Sequence, residues 1–158
     1  MGRQVLKGLT MLMLVIGLAL ASAAAANGQA RKNLIVQVPF DFIVADKDLR
    51  SGKYTVRAIN AAGDALVISS ADEKHQMLRL TNATRPAKAQ QEMQGRLVFH
   101  RYGNTYFLSQ AWMDGESSGR EFPKTRQERA IERELSVIAS NDRSKTVYEL
   151  VEVLATVR

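Results

Sequence analysis

The stretch RLVFHRYGNTYFLSQAWM, residues 96–113, contains the clearest β-hairpin signal in this chain. Two runs rich in aromatic and β-branched residues flank a Gly-Asn pair at 103–104, and glycine at the first of two turn residues favours a type II′ β-hairpin. In that register His100 lies opposite Phe107, and both faces of the hairpin are substantially apolar. The stretch therefore predicts a central pair of strands whose two faces are both covered, one of them by a helix.

Alternating apolar residues predict further strands around this hairpin. Every second residue from Val36 to Val44 is apolar, which is typical of a half-buried strand. Pro39 lies within that run and marks an edge or a bulge, because proline cannot donate a ladder hydrogen bond. Residues 145–157 fit either a strand or a helix, and their β-branched content favours the strand. Shorter strands are predicted at 53–58, 65–70 and 75–82.

One helix is predicted after Thr125. Thr125 and Glu128 have the spacing of a capping box, in which the hydroxyl and the carboxylate bond to backbone N–H groups that have no partner inside the helix. Ile131, Leu135 and Ile138 then recur at helical spacing and form one apolar stripe.

These elements predict a mainly β, α+β fold. We expect an antiparallel sandwich or a small barrel of about seven strands, with one amphipathic helix in the C-terminal half. The polar stretch at 84–94 is predicted to be a long surface loop. The chain of 158 residues contains no cysteine, which excludes disulfide scaffolds, zinc fingers, iron–sulfur clusters and thiol chemistry.

The first 26 residues have the pattern of a secretory signal peptide. Arg3 and Lys7 precede an apolar run from Leu9 to Leu20, and small residues follow from Ala21 to Ala26. We expect cleavage after Ala23 or Ala26, which leaves 27–158 as a single β-rich domain. The alternative is an uncleaved anchor, although a spanning helix needs about 20 strongly apolar residues. The expected location is therefore the periplasm or the extracellular space.

The charge of the exported part is mild. The whole chain has 22 Lys and Arg against 16 Asp and Glu, and removal of the signal takes away two basic residues, so 20 remain and the net charge is +4. Arginine and glutamate are interspersed on the predicted helix, and export separates the protein from the cytoplasm. We therefore expect no nucleic-acid partner, and no membrane span in the exported part.

Two stretches resemble a family of small exported soil-bacterial proteins that has no assigned function. The first contains Phe40-Asp41-Phe42, and the second contains FHRYG at 99–103 followed by Tyr106-Phe107-Leu108. The chain has Arg50-Ser51 where that family has Pro-Ala, Phe122 for a leucine and Thr125 for a serine. The resemblance implies an exported β-rich protein and brings no activity with it.

No catalytic, metal or cofactor motif is evident in the sequence. His75 and His100 are the only histidines and neither has a second histidine nearby, so we predict no metal site and no cofactor. Ser117 and Ser118 have no neighbouring base, and a Gly-x-Ser-x-Gly elbow is absent. Three carboxylates on the predicted helix alternate with arginines, which predicts a solvated face rather than an acid–base pair. These carboxylates are Glu128, Glu132 and Glu134.

The function that these observations favour is a non-enzymatic exported domain with a binding or envelope-structural role. Its aromatic residues concentrate in the hairpin, which indicates either a core or a ligand surface, because tyrosine and tryptophan combine an apolar body with a polar group. A small molecule, a polysaccharide or an envelope protein would suit such a surface. The alternatives are a hydrolase with an unrecognised site and a membrane-tethered partner protein. The candidate contact residues are His100, Arg101, Tyr102, Tyr106 and Trp112.

Overall fold

In the part of the chain that the structure describes, the fold consists of two β-sheets and one helix. The computed structural model describes residues 33–60, 62–72, 74–85, 94–138 and 147–156. Within these ranges, seven strands have five or more residues and four have three. The strands are β1 (Asn33–Val38), β2 (Phe42–Val44), β3 (Lys47–Leu49), β4 (Gly52–Ala58), β5 (Ala65–Ser70), β6 (Gln76–Leu80), β7 (Asn82–Thr84), β8 (Arg96–Tyr102), β9 (Thr105–Trp112), β10 (Gly119–Glu121) and β11 (Glu149–Leu154), and the helix is α1 (Arg126–Ile138).

The sheets form a sandwich. The first is antiparallel with strand order β1-β4-β5-β6, and the second has the order β11-β8-β9-β10-β7, with β2 and β3 attached beside β9. Side chains from both sheets share one apolar core, in which Phe42 and Phe99 meet edge to face at 5.3 Å. The mainly β fold with a single helix in the described C-terminal half is thus confirmed, and it is sandwich-like rather than a closed barrel.

The β8–β9 hairpin pairs as predicted. His100 lies opposite Phe107, and Gly103 takes a φ of +60°, which suits the first position of a type II′ turn. One face of the hairpin contributes Phe99 and Leu108 to the sandwich core. The other face lies under α1, where Phe107 belongs to a second apolar cluster that includes Ile131. The central position of the hairpin is therefore confirmed.

The hairpin contains one irregularity that the sequence does not reveal. Val98 pairs with Gln110 but Phe99 pairs with Leu108, so the register skips Ser109. This skip is a β-bulge, in which two residues of one strand oppose one residue of the other and a side chain is re-aimed. The Ser109 carbonyl instead accepts a hydrogen bond from the Phe122 backbone N–H at 2.8 Å.

Several other strand predictions can be compared with the structure. Pro39 separates β1 from β2, and residues 149–154 form a strand, β11. The segment at 45–52 contains β3, because Ala45 and Asp46 both adopt left-handed φ angles of 55° and 63° and reverse the chain within two residues. Aspartate tolerates such angles better than most residues, whereas alanine at the first turn position is unusual.

Some predictions fall outside the described residues. They include the signal peptide at 1–26 and most of the loop at 84–94. In the ranges that the structure does describe, none of the helical segments has both the length and the apolar character needed to cross a membrane.

Candidate functional site

The structure divides the five predicted contact residues between the two faces of the hairpin. His100, Tyr102 and Trp112 lie on the face toward α1 and are buried. Arg101 and Tyr106 lie opposite each other on the sandwich face and are half-buried. The structure therefore brings together His100 with Tyr102, and Arg101 with Tyr106, but does not place all five on one surface.

Trp112 is packed on both sides. The Arg96 guanidinium carbon lies 4.6 Å from the centre of its ring, and a Cβ at Gly119 would approach the ring to 2.6 Å. The indole N–H donates to the Gln110 side-chain oxygen at 3.0 Å. These contacts give Trp112 a packing role under β10.

Tyr106 is held at the wall of an open groove. Its ring stacks on Phe40 with centroids 3.9 Å apart, and the Arg101 guanidinium carbon lies 5.6 Å from its centre. Arg101 also pairs with Glu149, its Nη1 lying 3.2 Å from the carboxylate. Since these neighbours restrain the tyrosine ring, it offers a preorganised surface.

The groove has a volume of about 550 Å³. It lies where the ends of β2 and β3, the tip of the β8–β9 hairpin and the first turn of α1 meet. Most of its lining is polar, with two carboxylates, two amides, two hydroxyls and one guanidinium. The polar lining residues are Asp41, Asp48, Arg50, Asn104, Thr105, Tyr106 and Gln127.

Local hydrogen bonds hold one wall of the groove. The Asp41 carboxylate accepts from the Ser51 backbone N–H at 2.7 Å, and the Tyr54 hydroxyl donates to the Arg50 carbonyl at 2.7 Å. Burial raises the pKa of Tyr54, and the charge of Asp41 adds to the shift, so the hydroxyl remains a donor. The turn before β4 is therefore fixed from two sides.

A second polar cluster is enclosed between the hairpin and α1. His100 Nδ1 lies 2.7 Å from Glu128 Oε1, and Ser109 Oγ lies 2.9 Å from His100 Nε2. The Tyr102 hydroxyl also donates to Glu128 Oε1, at 3.4 Å. His100 is 6%, Glu128 3% and Ser109 4% exposed. We call Ser109, His100 and Glu128 the buried relay.

The buried relay is assembled from three elements. β8 supplies His100, the bulge in β9 supplies Ser109, and the first turn of α1 supplies Glu128. Thr125 Oγ1 accepts from the Glu128 backbone N–H at 3.0 Å, as the capping box predicts. The Glu128 carboxylate, however, turns inward to His100 instead of capping the helix.

The prediction of a solvated face on the helix is therefore wrong for Glu128. Glu132 is half-buried and accepts a hydrogen bond from Lys124 Nζ at 2.7 Å, while Glu134 is exposed. The carboxylate of Glu128 is buried because histidine and tyrosine groups bond to it, which offsets the cost of its burial.

Aromatic rings enclose the relay. Tyr148, itself half-buried, stacks on the His100 ring with centroids 4.0 Å apart. Burial raises the pKa of Tyr102, and the negative charge of Glu128 raises it further, so the phenol stays protonated and donates. Burial lowers the pKa of Lys124, but its hydrogen bond and charge interaction with Glu132 outweigh this effect and the net shift is upward.

Ser109 is a member of the buried relay that is not among the predicted site residues, and of the polar groove residues only Tyr106 is predicted. The signal for Ser109 is a polar Ser-Gln pair that interrupts the apolar strand β9, opposite a strand that carries a histidine. Comparison of the chain with models of known families, with characterised proteins and with solved structures finds no match.

Proposed function

We propose that this chain is an exported β-domain that binds a hydroxyl-rich ligand, an envelope polysaccharide, in the groove beside Tyr106. The observation that carries the proposal is the composition of the groove. Carboxylates and amides accept hydrogen bonds from sugar hydroxyls, whereas amides and guanidinium donate to sugar oxygens. Two carboxylates against one guanidinium disfavour a strongly anionic ligand such as nucleic acid.

The shape of the groove also supports a polymer. The groove is open to solvent, as a site for an extended ligand must be, and the restrained Tyr106 ring supplies an amphipathic wall of the kind that ligand sites use for orientation. The groove residues come from turns and element ends held by a rigid sandwich, where binding residues are often found.

Export is proposed on the sequence alone. The basic start, the apolar run from Leu9 to Leu20 and the small residues up to Ala26 support removal of a signal peptide. We also propose membership of the exported family that the FDF and FHRYG stretches resemble. Intact mass of the protein from its host tests the export proposal: loss of 23 or 26 residues supports it, and a full-length, membrane-bound mass contradicts it.

Binding is tested with a microarray of bacterial oligosaccharides and polysaccharides, followed by titration of the best ligand. The variant combines Asn104→Ala with Gln127→Ala, both exposed groove residues. We expect a loss of affinity of about tenfold or more, because each lost hydrogen bond is worth about 1 kcal/mol. Gln37→Ala, an exposed substitution on β1, is the matched control and should bind as the parent does.

Two results contradict the binding proposal. One is the absence of binding to every saccharide on the array. The other is equal affinity of the Asn104 and Gln127 double variant and the Gln37 control, which would place any ligand outside the groove.

A further inference from the structure

The atoms of the buried relay are connected in the order that nucleophilic serine chemistry requires. A carboxylate contacts Nδ1 of a histidine, and Nε2 of the same histidine contacts a serine hydroxyl. Because an ionised carboxylate can only accept, the proton lies on Nδ1, which leaves Nε2 free to accept the serine proton. This arrangement holds the imidazole in the tautomer of a general base.

The local structure around Ser109 supports a role beyond packing. The β-bulge that skips Ser109 disrupts the ladder between two central strands, and bulges next to active sites re-aim side chains. Glu128 gives up the capping bond of its carboxylate to reach His100. The bulge and the missing capping bond both lower the stability locally. Apolar side chains at these positions would fill the same space without that loss of stability.

We propose that Ser109 is a nucleophile toward small, uncharged esters, with His100 as its general base and Glu128 as the carboxylate that orients His100. In the first step a bond forms between Ser109 Oγ and the ester carbonyl carbon, and the serine proton moves to His100 Nε2. The bond to the leaving alcohol then breaks and the alcohol takes that proton. Water attacks the acyl-serine in the same manner, which releases the acid and restores the serine.

The enclosure of the relay determines which esters can react. Ser109 is only 4% exposed, so a reagent must be small and must bear no charge that burial would penalise. Tyr148 covers the His100 ring and is the half-buried member of the enclosure. We therefore expect Tyr148→Ala to speed the reaction at Ser109.

The test is labelling of the folded full chain with a small alkyl fluorophosphonate, which forms a P–O bond to the serine and releases fluoride. We expect one adduct by intact mass, located at Ser109 by peptide mapping. Ser109→Ala should abolish it, whereas Ser117→Ala, which removes an exposed loop serine, should leave it unchanged. The chain unfolded in urea should lose the selective reaction.

Two further variants test the residues that would activate Ser109. His100→Gln should lower the labelling rate about 100-fold, the usual scale of general-base catalysis. Glu128→Gln keeps the shape of the side chain and should lower the rate as well, which provides a second measurement if His100→Gln fails to fold. The proposal is overturned by a folded parent protein that is not labelled at Ser109, or by a folded Glu128→Gln variant that reacts at the parental rate. Neither result bears on ligand binding in the groove.

Discussion

The two faces of the β8–β9 hairpin are both buried, but they are built differently. The face toward the other sheet contributes only apolar side chains and Tyr106 to the sandwich core, with Phe99 fully buried. The face toward α1 combines apolar contacts with the buried relay. One pair of strands thus contributes an apolar core on one side and a satisfied polar network on the other.

The two faces should therefore contribute differently to the stability of the fold and to the position at which α1 docks. Apolar burial contributes free energy in proportion to area and with little directional demand. A buried charge that is hydrogen-bonded to its partners contributes little net stability, but removal of one partner is strongly destabilising. The sandwich face should therefore dominate stability, whereas the relay should fix where α1 docks.

The largest effect is expected on the sandwich face. Phe99→Ala removes a fully buried ring that meets Phe40 and Phe42 edge to face. We expect a loss of about 3–5 kcal/mol in the free energy of unfolding. Urea titration followed by circular dichroism measures it, and a loss below about 1 kcal/mol would contradict the assignment of Phe99 to the core.

A smaller effect is expected on the helix face. Glu128→Gln keeps the volume but weakens the bonds to His100 and Tyr102, and we expect a loss of about 1–3 kcal/mol. Glu134→Gln, on the exposed side of the same helix, is the matched control and should change stability by less than about 0.5 kcal/mol. Equal effects in both variants would mean that Glu128 is not buried against the hairpin.

Replacement of the whole relay separates the contribution of polar bonds from that of apolar contacts on the helix face. His100→Leu, Ser109→Ala and Glu128→Leu, combined with Tyr102→Phe to remove the hydroxyl that donates to Glu128, take away the buried carboxylate and its partners together. We expect a smaller loss of stability than Glu128→Gln alone causes, because apolar substitutes for buried charged groups and their partners are often neutral or stabilising. A larger loss would show that the helix face depends on polar bonds for its stability.

The N-terminal cap of α1 should contribute a smaller amount of stability. Thr125→Ala removes the hydroxyl that accepts from the Glu128 N–H, and loss of such a cap costs about 1 kcal/mol. Thermal unfolding measures this loss, with Thr125→Ser as the variant that should retain stability. An alanine variant as stable as the serine variant would contradict the cap.

The smallest effect is expected at the surface. Arg101→Ala breaks the exposed pair with Glu149, and such pairs contribute about 0–1 kcal/mol. Urea titration should give a smaller difference between variant and parent at high salt than at low salt, because salt screens an exposed ion pair. A loss comparable to that of Phe99→Ala would contradict the half-exposed position of Arg101.

Local patterns predict much of this fold. The type II′ hairpin and the cap at Thr125 depend on neighbours in sequence, and each is found where its signal lies. The alternation from Val36 to Val44 predicts one strand, whereas the structure divides it into β1 of the first sheet and β2 of the second. Strand β3 is missed because it has only three residues, of which two are charged and exposed, so it shows no apolar alternation.

The candidate sites are harder to predict because they depend on contacts between distant residues. His100 and Glu128 are 28 positions apart, and the Ser-Gln pair that interrupts β9 does not by itself predict a bulge at Ser109. The mixed charges on the helix predict that its carboxylates are exposed to solvent. Only the contact with His100 shows that the Glu128 carboxylate turns inward. The groove is likewise lined by residues from two hairpins and from the start of a helix, so no single stretch of sequence predicts it.

The most direct test of the account is the protonation of the His100 ring, measured by ¹⁵N–¹H correlation NMR near neutral pH. His75→Gln leaves His100 as the only histidine and so assigns its signals. We expect a ring proton on Nδ1 that exchanges slowly, because Glu128 accepts it in a buried site. A proton on Nε2 alone, or rapid exchange with solvent, would contradict the buried relay on which the docking of α1 and the reactivity of Ser109 depend.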